Sequence, residues 1–327
     1  MTPSVLLSTS CEKDVNAKSL VAYLIRSVLT PIATKAAKAT DSASAASELA
    51  RYCCPHTELH CGHGSSVDVY LAIHNRHRST FLEHSVYLYS AVLEVCPQLS
   101  ISIIPVIGTA KKEEMHVSGT SSSPALSQQH QQQRQFSGLQ RSAGDSIELY
   151  ADVAAVLQEW KLLDKSFMRD AEGFQPHYTY VAVGGTFDHF HSGHKVLLST
   201  AALYTMQKLR VGVTDASLLT KKRLAESLQS MEVRMEHVMQ FLHHMRPDLE
   251  LELAPISEVS GGTKSIPEVE ALVVSPETAN SIGVINEMRA ANGGLAPMVG
   301  ISIPQVRSLT GELISSTALR ERQIRKN

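Results

Sequence analysis

The chain has 327 residues, more than one domain usually contains, so its length predicts two domains or one domain with a substantial appendage. Hydrophobic residues make up 43% and charged residues 19%, as in ordinary globular proteins, which excludes wholesale disorder and a membrane bundle. The formal net charge is -2, so the chain lacks the excess of positive charge that binds nucleic acid or an acidic membrane surface, and we expect neither as a partner.

The first 110 residues predict a small α/β unit. Apolar runs of strand length and stretches with helical spacing of apolar residues occur there, with strands at residues 4–7, 67–73 and 101–106 and helices at 17–29 and 87–95. Because no set of catalytic side chains stands out in this region, we expect it to have an architectural, regulatory or partner-binding role.

Residues 15–40 are basic, rich in Ala and Ser and free of acidic side chains. A mitochondrial targeting segment has this composition, but an ordinary surface helix has it too, and we favour the helix. No apolar run reaches the roughly 18 to 20 residues of a spanning helix, and the N-terminal stretch has no secretory signal pattern. We therefore expect a cytoplasmic protein, with the nucleus and the mitochondrion as alternatives.

Six side chains that zinc could use lie close together: Cys53, Cys54, His56, His60, Cys61 and His63. Thiolate and imidazole are ligands that zinc prefers, but this spacing matches no standard zinc finger. The odd total of five cysteines argues for reduced thiols rather than a disulfide framework. We interpret the cluster as a His-rich loop and assign no metal ligand in the chain.

The composition changes abruptly between the two halves of the chain. Residues 111–146 are rich in Ser and Gln, cannot bury enough apolar surface to become ordered, and predict a disordered linker. Residues 147–177 predict a connecting helical segment.

From residue 178 to 327, predicted strands alternate with predicted helices. The strands are expected at 180–183, 209–213, 249–256, 271–274 and 298–303, and the helices at 195–207, 232–245, 278–291 and 317–325. This alternation predicts right-handed βαβ units in a Rossmann-like parallel sheet, with ligands beyond the carboxyl ends of the strands.

The most informative segment is V-G-G-T-F-D-H-F-H-S-G-H, residues 183–194, which follows a predicted strand and enters a predicted helix. Gly184 and Gly185 allow the backbone to turn tightly and approach a ligand, and the free amides of the next helix favour negative charge. His191 and His194 lie three residues apart, so both imidazoles can face one phosphate. Such histidines can also bind metal or be solvated, but the glycine pair and the strand-to-helix context favour phosphate.

A second phosphate motif lies near the end of the sequence. Ser315, Ser316 and Thr317 precede the last predicted helix and offer hydroxyls and free helix amides, which suit the β- and γ-phosphates of a nucleotide. Arg320 follows one turn later and can bind the same oxygens with both arms of its guanidinium. Alone, the motif would be an ordinary N-cap, but together with the two histidines it indicates a nucleotide site.

The histidine segment resembles the T-F-D-x-x-H-x-G-H signature of the H-x-G-H nucleotidylyltransferases. It is most similar to the eukaryotic phosphopantetheine adenylyltransferases, including the adenylyltransferase part of bifunctional coenzyme A synthase. The resemblance runs from about residue 178 to the end and includes four further motifs in order, namely V-G-V-T-D with Lys221 and Lys222, V-V-S-P-E-T at 273–278, N-E-M-R at 286–289 and I-S-S-T-A-L-R at 314–320.

The resemblance implies transfer of AMP from ATP, together with Mg²⁺, to 4′-phosphopantetheine, which gives dephospho-coenzyme A and pyrophosphate in coenzyme A biosynthesis. It implies catalytic roles for His191, His194, Thr186 and Lys221, with the histidines on the α-phosphate. The substrate and nucleotide contacts that it implies are Gly184, Gly185, Phe187, Asp188, Lys222, Ser275, Glu277, Arg289, Ser315, Ser316, Thr317 and Arg320. Either lysine could contact the acceptor phosphate, and we favour Lys221 slightly.

Other functions stay open at this point. Cytidylyltransferases usually have R-T-x-G-I-S-T-T where this chain has L-T-G-E-L-I-S-S-T at 309–317, which favours ATP over CTP. Nicotinamide mononucleotide adenylyltransferases share the S-S-T-x-x-R ending, but the T-F-D start and residues 273–278 point away from them. Outside the enzymes, the alternative is a non-catalytic, nucleotide-sensing scaffold, although the intact motif residues argue against it.

The stretch G-G-T-K-S at 261–265 looks like the end of a phosphate-binding P-loop, but it lacks the opening glycine and the strand-to-helix context. We therefore expect no kinase domain of the kind found in the bifunctional synthase. The pathway would need a separate dephospho-coenzyme A kinase, with which this protein could form a complex.

Overall fold

The computed structural model describes residues 4–8, 24–25, 29, 66–73, 77–95, 99–108, 146–150, 153–158, 160–220, 222–308 and 310–324. The chain forms two units that divide between Leu163 and Asp164. In these described ranges, no helix is both long enough and apolar enough to cross a membrane. The Cys/His cluster at 53–63, residues 111–145, and all but three residues of the helix expected at 17–29 lie outside the described residues, so those expectations stay predictions.

The first unit contains a five-stranded sheet in the order β4-β1-β2-β3-β5. Its three central strands are parallel, and each edge strand is antiparallel to its neighbour. The strands are β1 (Ser4–Ser8), β2 (Ser66–Ala72), β3 (Ser100–Gly108), β4 (Ser146–Tyr150) and β5 (Trp160–Leu162), and the helices are α1 (Arg78–Val95) and α2 (Val153–Val156). Tyr70, Ile104 and Trp160 are part of a buried cluster on this sheet, so the α/β prediction is confirmed.

Two strands lie in the segment that was predicted as a helical connection. Residues 147–177 contain most of β4 and all of β5, which cover both edges of the first sheet, and the second unit begins inside this segment at Asp164. The segment also contains helices, at Val153–Val156 and Lys165–Asp170, so the structure departs from the prediction only at the two strands. Strands of five and three residues are too short for their apolar pattern to identify them without their partners. Helix α1 also begins earlier than predicted, at residue 78 rather than 87.

The second unit contains a five-stranded, fully parallel sheet in the order β10-β9-β6-β7-β8. Its strands are β6 (Tyr178–Gly185), β7 (Thr205–Thr214), β8 (Glu250–Ile256), β9 (Ala271–Val274) and β10 (Val299–Ser302). Its helices are α3 (Lys165–Asp170), α4 (Ser192–Tyr204), α5 (Ala216–Leu219), α6 (Met231–Met245), α7 (Ser281–Ala291) and α8 (Ser316–Ile324). The Rossmann-like prediction is confirmed, and its five strands and four helices are present, although residues 205–207, expected at the end of a helix, begin β7 instead.

The strand order reverses at the centre of this sheet. Strand β6 pairs with β7 on one side and with β9 on the other, so the connections leave in opposite directions and open a cleft at the carboxyl ends. Residues 181–183 and all of β9 are apolar and buried, which is why these strands take central positions with both faces covered. The cleft is where ligands bind in sheets of this kind, and both phosphate motifs end there.

Gly212 of β7 shows how closely the floor of the cleft is packed. It pairs with Gly184 of β6, and a Cβ atom at Gly212 would lie 2.9 Å from Cγ2 of Ile256. We expect Gly212→Ala to lower the free energy of unfolding by about 1 to 3 kcal/mol in urea denaturation, because Ile256 must move. Gly283→Ala is the matched control, since a Cβ there meets nothing within 4 Å and alanine favours a helix. Equal stability of the two variants would contradict this packing.

Candidate active site

A cavity of about 460 Å³ opens at the carboxyl ends of the second sheet. Twelve of the predicted site residues border it, namely Gly184, Gly185, Thr186, His191, His194, Lys222, Ser275, Glu277, Ser315, Ser316, Thr317 and Arg320. Three others do not border it: Phe187, Asp188 and Arg289. Lys221 lies outside the described residues, so its expected role stays a prediction.

His191 is the N-cap residue of helix α4. Its Nδ1 accepts a hydrogen bond of 3.1 Å from the backbone amide of Gly193, so in the neutral ring the proton is on Nε2. Nε2 lies 3.4 Å from the hydroxyl oxygen of Ser316. The cap bond therefore fixes both the tautomer and the direction of the ring, and it aims an N–H donor at the start of helix α8.

His194 is held by aromatic packing. Its ring stacks on that of His191 with the ring centroids 3.8 Å apart, and it lies 5.4 Å from the ring of Phe187 and 5.8 Å from that of Phe190. Among the residues that the structure describes, none forms a hydrogen bond with its buried Nδ1. Burial lowers the pKa of His194 well below its usual value, and the charges of His191 and Lys222 lower it further. Phe187 is fully buried, so it contributes to the site as a wall for this imidazole rather than as a nucleotide contact.

Burial also lowers the pKa of His191, from 6.5 to about 4, although the charge of Asp188 opposes the shift. Both imidazoles are therefore neutral at pH 7. As the pH falls, the unfolded chain binds a proton at this histidine near pH 6.5, whereas the folded chain binds it only near pH 4. The stability due to neutral His191 is therefore complete above pH 6.5 and is lost as the pH falls toward 4. We expect the free energy of unfolding to drop by up to about 3 kcal/mol over that range through His191.

Urea denaturation of the wild type and of His191→Gln at a series of pH values measures this effect. The drop should be smaller in the variant, since glutamine does not titrate. An identical pH dependence in both proteins would contradict the assignment of this titration to His191.

The serine motif forms the start of helix α8. The hydroxyl oxygen of Ser315 accepts a hydrogen bond of 3.2 Å from the backbone amide of Ala318, which makes Ser315 the capping residue. Ser316 and Thr317 follow in the first turn, where backbone amides have no partner within the helix. Since the hydroxyl of Ser316 faces His191, the starts of α4 and α8 converge on one cavity, as the two motifs predicted.

Asp188 and Arg320 form a buried ion pair, with exposed fractions of 0% and 1%. Asp188 Oδ2 contacts Nη1 of Arg320, and its Oδ1 accepts a hydrogen bond of 2.9 Å from the backbone amide of Gln229. Arg320 Nη2 donates to the carbonyl of Arg223 and to the hydroxyl of Thr317, each at 3.1 Å. Arg320 borders the cavity and its Nε bonds to nothing in the described part of the chain, whereas Asp188 does not border the cavity; the predicted nucleotide contacts of both residues stay predictions. The pair ties the loop at 186–191, here called the histidine loop, to helix α8.

Arg289 is a structural residue. It is fully buried, and its guanidinium donates only to backbone carbonyls, which belong to Thr263, Ile266, Pro267, Val269 and Ala296. With its donors used in this way, it cannot contact a phosphate, so that prediction is wrong. A motif in the sequence does not reveal whether a long arginine side chain points into the cavity or into the core.

The sequence did not identify Thr214 as a site residue. It ends β7, borders the cavity, and has a buried hydroxyl that bonds to nothing in the described part of the chain. The available signal was its position in V-G-V-T-D, at the carboxyl end of a strand.

The loop after β8 forms another wall of the cavity that was not predicted. Arg210 donates a hydrogen bond of 2.9 Å to the carbonyl of Gly261 in this loop. Residues 263–265 there form one 3₁₀ turn rather than a long helix, so the P-loop remains excluded.

Residues 182–322 match the family model described as cytidylyltransferase-like. A phosphopantetheine adenylyltransferase of Saccharomyces cerevisiae is 40% identical over 159 residues, which are 46% of this chain and 50% of that protein. This chain thus spans about half the length of the yeast relative.

Two archaeal relatives are covered almost entirely. The phosphopantetheine adenylyltransferase of Thermococcus kodakarensis is 33% identical over 144 residues, 44% of this chain and 85% of the relative. That of Methanopyrus kandleri is 36% identical over 140 residues, 43% of this chain and 87% of the relative. The residues that the family model matches lie in the second unit, which has the parallel sheet, the histidine motif and the serine motif at one cavity. The chain therefore belongs to the phosphopantetheine adenylyltransferase family of H-x-G-H nucleotidylyltransferases.

Proposed function

We propose that the second unit transfers AMP from MgATP to 4′-phosphopantetheine, giving dephospho-coenzyme A and pyrophosphate. The observation that carries this proposal is the 3.4 Å approach of His191 Nε2 to the hydroxyl of Ser316, with the His194 ring stacked behind it. In this arrangement, the N–H groups of the imidazoles and the free backbone amides at the start of helix α8 can bind one triphosphate. The names of the relatives favour 4′-phosphopantetheine as the acceptor.

The reaction needs no general base. The acceptor is a phosphate that is already ionised at neutral pH, and its oxygen attacks the α-phosphorus in line as the bond to the pyrophosphate oxygen breaks. Catalysis then consists of holding two anions close together and stabilising the charge that develops on the α-phosphate. Each neutral imidazole, of His191 and of His194, has one N–H group, which would donate a hydrogen bond to an oxygen of that phosphate.

The other predicted residues take roles around this centre. Gly184 and Gly185 would let the backbone approach the phosphates, and Thr186 and Lys221 or Lys222 would orient the acceptor phosphate. Ser275 and Glu277 would border the nucleoside, which is consistent with their place at the end of β9. The amides and hydroxyls of the serine motif, Ser315, Ser316 and Thr317, would bind the β- and γ-phosphates and hold the departing pyrophosphate.

Magnesium would enter this site as part of MgATP. In the described ranges, no group of three or more His, Cys, Asp or Glu side chains could hold a metal ion. The side chains at the cavity therefore fit an ion carried by phosphate oxygens, where it would neutralise part of the charge on the pyrophosphate.

A pyrophosphate-release assay tests the proposed function. The full chain is incubated with MgATP and 4′-phosphopantetheine, nicotinamide mononucleotide or phosphocholine, and with CTP in place of ATP. We expect release with ATP and 4′-phosphopantetheine, together with dephospho-coenzyme A in the mass spectrum. Release only with another acceptor or with CTP would assign a different nucleotidylyl transfer, and no release with any pair would support the non-catalytic alternative.

The product would still need a phosphoryl group before it becomes coenzyme A. We propose that a separate dephospho-coenzyme A kinase supplies it, in the cytoplasm, and that the two proteins could form a complex. Co-purification with such a kinase would support this part of the proposal.

A further inference from the structure

Arg234 is a buried arginine of helix α6 that belongs to none of the recognised motifs. Its exposed fraction is 3%. Its Nη1 donates to two backbone carbonyls, that of Thr186 at 2.7 Å and that of Thr214 at 3.0 Å. Its Nε donates to the carbonyl of Gln229 at 3.1 Å. One side chain therefore joins three separate stretches of backbone.

Two of these stretches are the strand ends that border the cavity. Thr186 directly follows β6, and Thr214 is the last residue of β7. Because one nitrogen donates to both carbonyls, it fixes the distance between the two strand ends. In the proposed reaction, the acceptor phosphate and the α-phosphate must meet beside these ends.

The third stretch leads to the histidine loop. The backbone amide of Gln229 donates to Asp188, and the side-chain oxygen of Gln229 accepts from the backbone amide of His189 at 2.7 Å. Phe187 and His189 have φ angles of 53° and 47°, a region that side chains other than glycine rarely adopt. A loop in this conformation persists only when its surroundings hold it, and Gln229 supplies part of that support.

We propose that Arg234 is a positioning residue for nucleotidyl transfer, because its guanidinium fixes the ends of β6 and β7 and, through Gln229, the loop at 186–191 that leads into the helix with His194. The inference rests on the proposed function. Arg234 would not touch the substrate. Its effect would come from keeping the reacting groups at the distance that the transition state needs.

Comparing Arg234→Met with Arg246→Met tests the proposal. Arg246 is also fully buried in the second unit and donates to the carbonyl of Ala202 at 2.9 Å, but it does not border the cavity. We expect Arg234→Met to lower kcat for AMP transfer by about 10- to 100-fold with little change in the KM for ATP, since small misplacements at this site are costly. Arg246→Met should lose stability and keep its kcat when both are assayed well below their melting temperatures.

NMR titration of His191 provides a second measurement that needs no turnover. In Arg234→Met, a loosened loop would admit water, so the pKa of His191 should rise from about 4 toward 6.5, and in Arg246→Met it should not. A wild-type kcat in Arg234→Met, or an equal loss of kcat in both variants, would overturn the proposal.

If Arg234→Met does not fold, Arg234→Lys replaces it, because one ammonium nitrogen cannot occupy the positions of both Nε and Nη1, so either the bond to Gln229 or the bonds to the strand ends are lost. A lysine variant with full kcat would also overturn the proposal. If the wild type does not transfer AMP to 4′-phosphopantetheine, the proposed function fails, and the His191 titration still decides the positioning role. An unchanged pKa of His191 in the Arg234 variant would then reject the positioning role of Arg234.

Discussion

Replacing His194 by alanine should lower the rate of AMP transfer by about 100- to 1000-fold, the usual loss when one preorganised donor to a developing charge is removed. The imidazole stacks on His191 and lies against Phe187 and Phe190, so its direction is fixed before substrate binds. Alanine leaves the backbone of helix α4 in place and removes the donor together with its ring contacts. Steady-state pyrophosphate release at saturating ATP and 4′-phosphopantetheine measures the effect.

His237→Ala is the control for this variant. His237 also packs against Phe190, with ring centroids 6.0 Å apart, but it does not border the cavity. Its loss should disturb the aromatic cluster and leave the rate close to that of the wild type. Circular dichroism should show that both variants are folded. Near-normal turnover in His194→Ala would mean that the catalytic group is misassigned.

Replacing Asp188 by alanine should lower the free energy of unfolding by about 3 to 5 kcal/mol, because it leaves the charge of Arg320 buried without its partner. Both side chains are almost completely shielded from water, so solvent cannot replace the lost contact. The backbone amide of Gln229 would lose its acceptor as well. Urea denaturation at neutral pH measures the change.

The double variant Asp188→Leu with Arg320→Met separates the unpaired charge from a general loss of packing. It removes both charges and fills the space with apolar side chains, so it should be clearly more stable than Asp188→Ala. The exposed pair of Arg169 and Asp170 offers a surface control, and Asp170→Ala should have little effect on stability. Equal losses in Asp188→Ala and Asp170→Ala would contradict the buried ion pair.

The sequence predicted the parts of the second unit that are encoded in short, continuous stretches. The apolar run at 180–183 and the glycine pair after it predicted a strand and the turn into helix α4. The spacing of His191 and His194, and the serines before α8, identify two helix starts that face ligands. Parallel strands place such starts at one edge of the sheet, so the convergence of the two motifs followed from the fold class.

The contacts of the long charged side chains could not be predicted in this way. Arg320 and Arg289 occur in motifs that suggest phosphate binding, yet the structure uses their guanidinium groups for Asp188 and for backbone carbonyls. Arg234 was missed because its partners Thr186 and Thr214 are 48 and 20 residues away along the chain. Such pairings depend on which elements pack together, which periodicity alone does not determine.

The most direct test of the central claim is a crystal structure of the full chain with a non-hydrolysable ATP analogue and magnesium. The account predicts that an α-phosphate oxygen lies within about 2.7 to 3.2 Å of Nε2 of His191 or His194, with the β- and γ-phosphates at the first amides of helix α8. A triphosphate bound away from the two histidines, or one that does not reach Ser316, would contradict it.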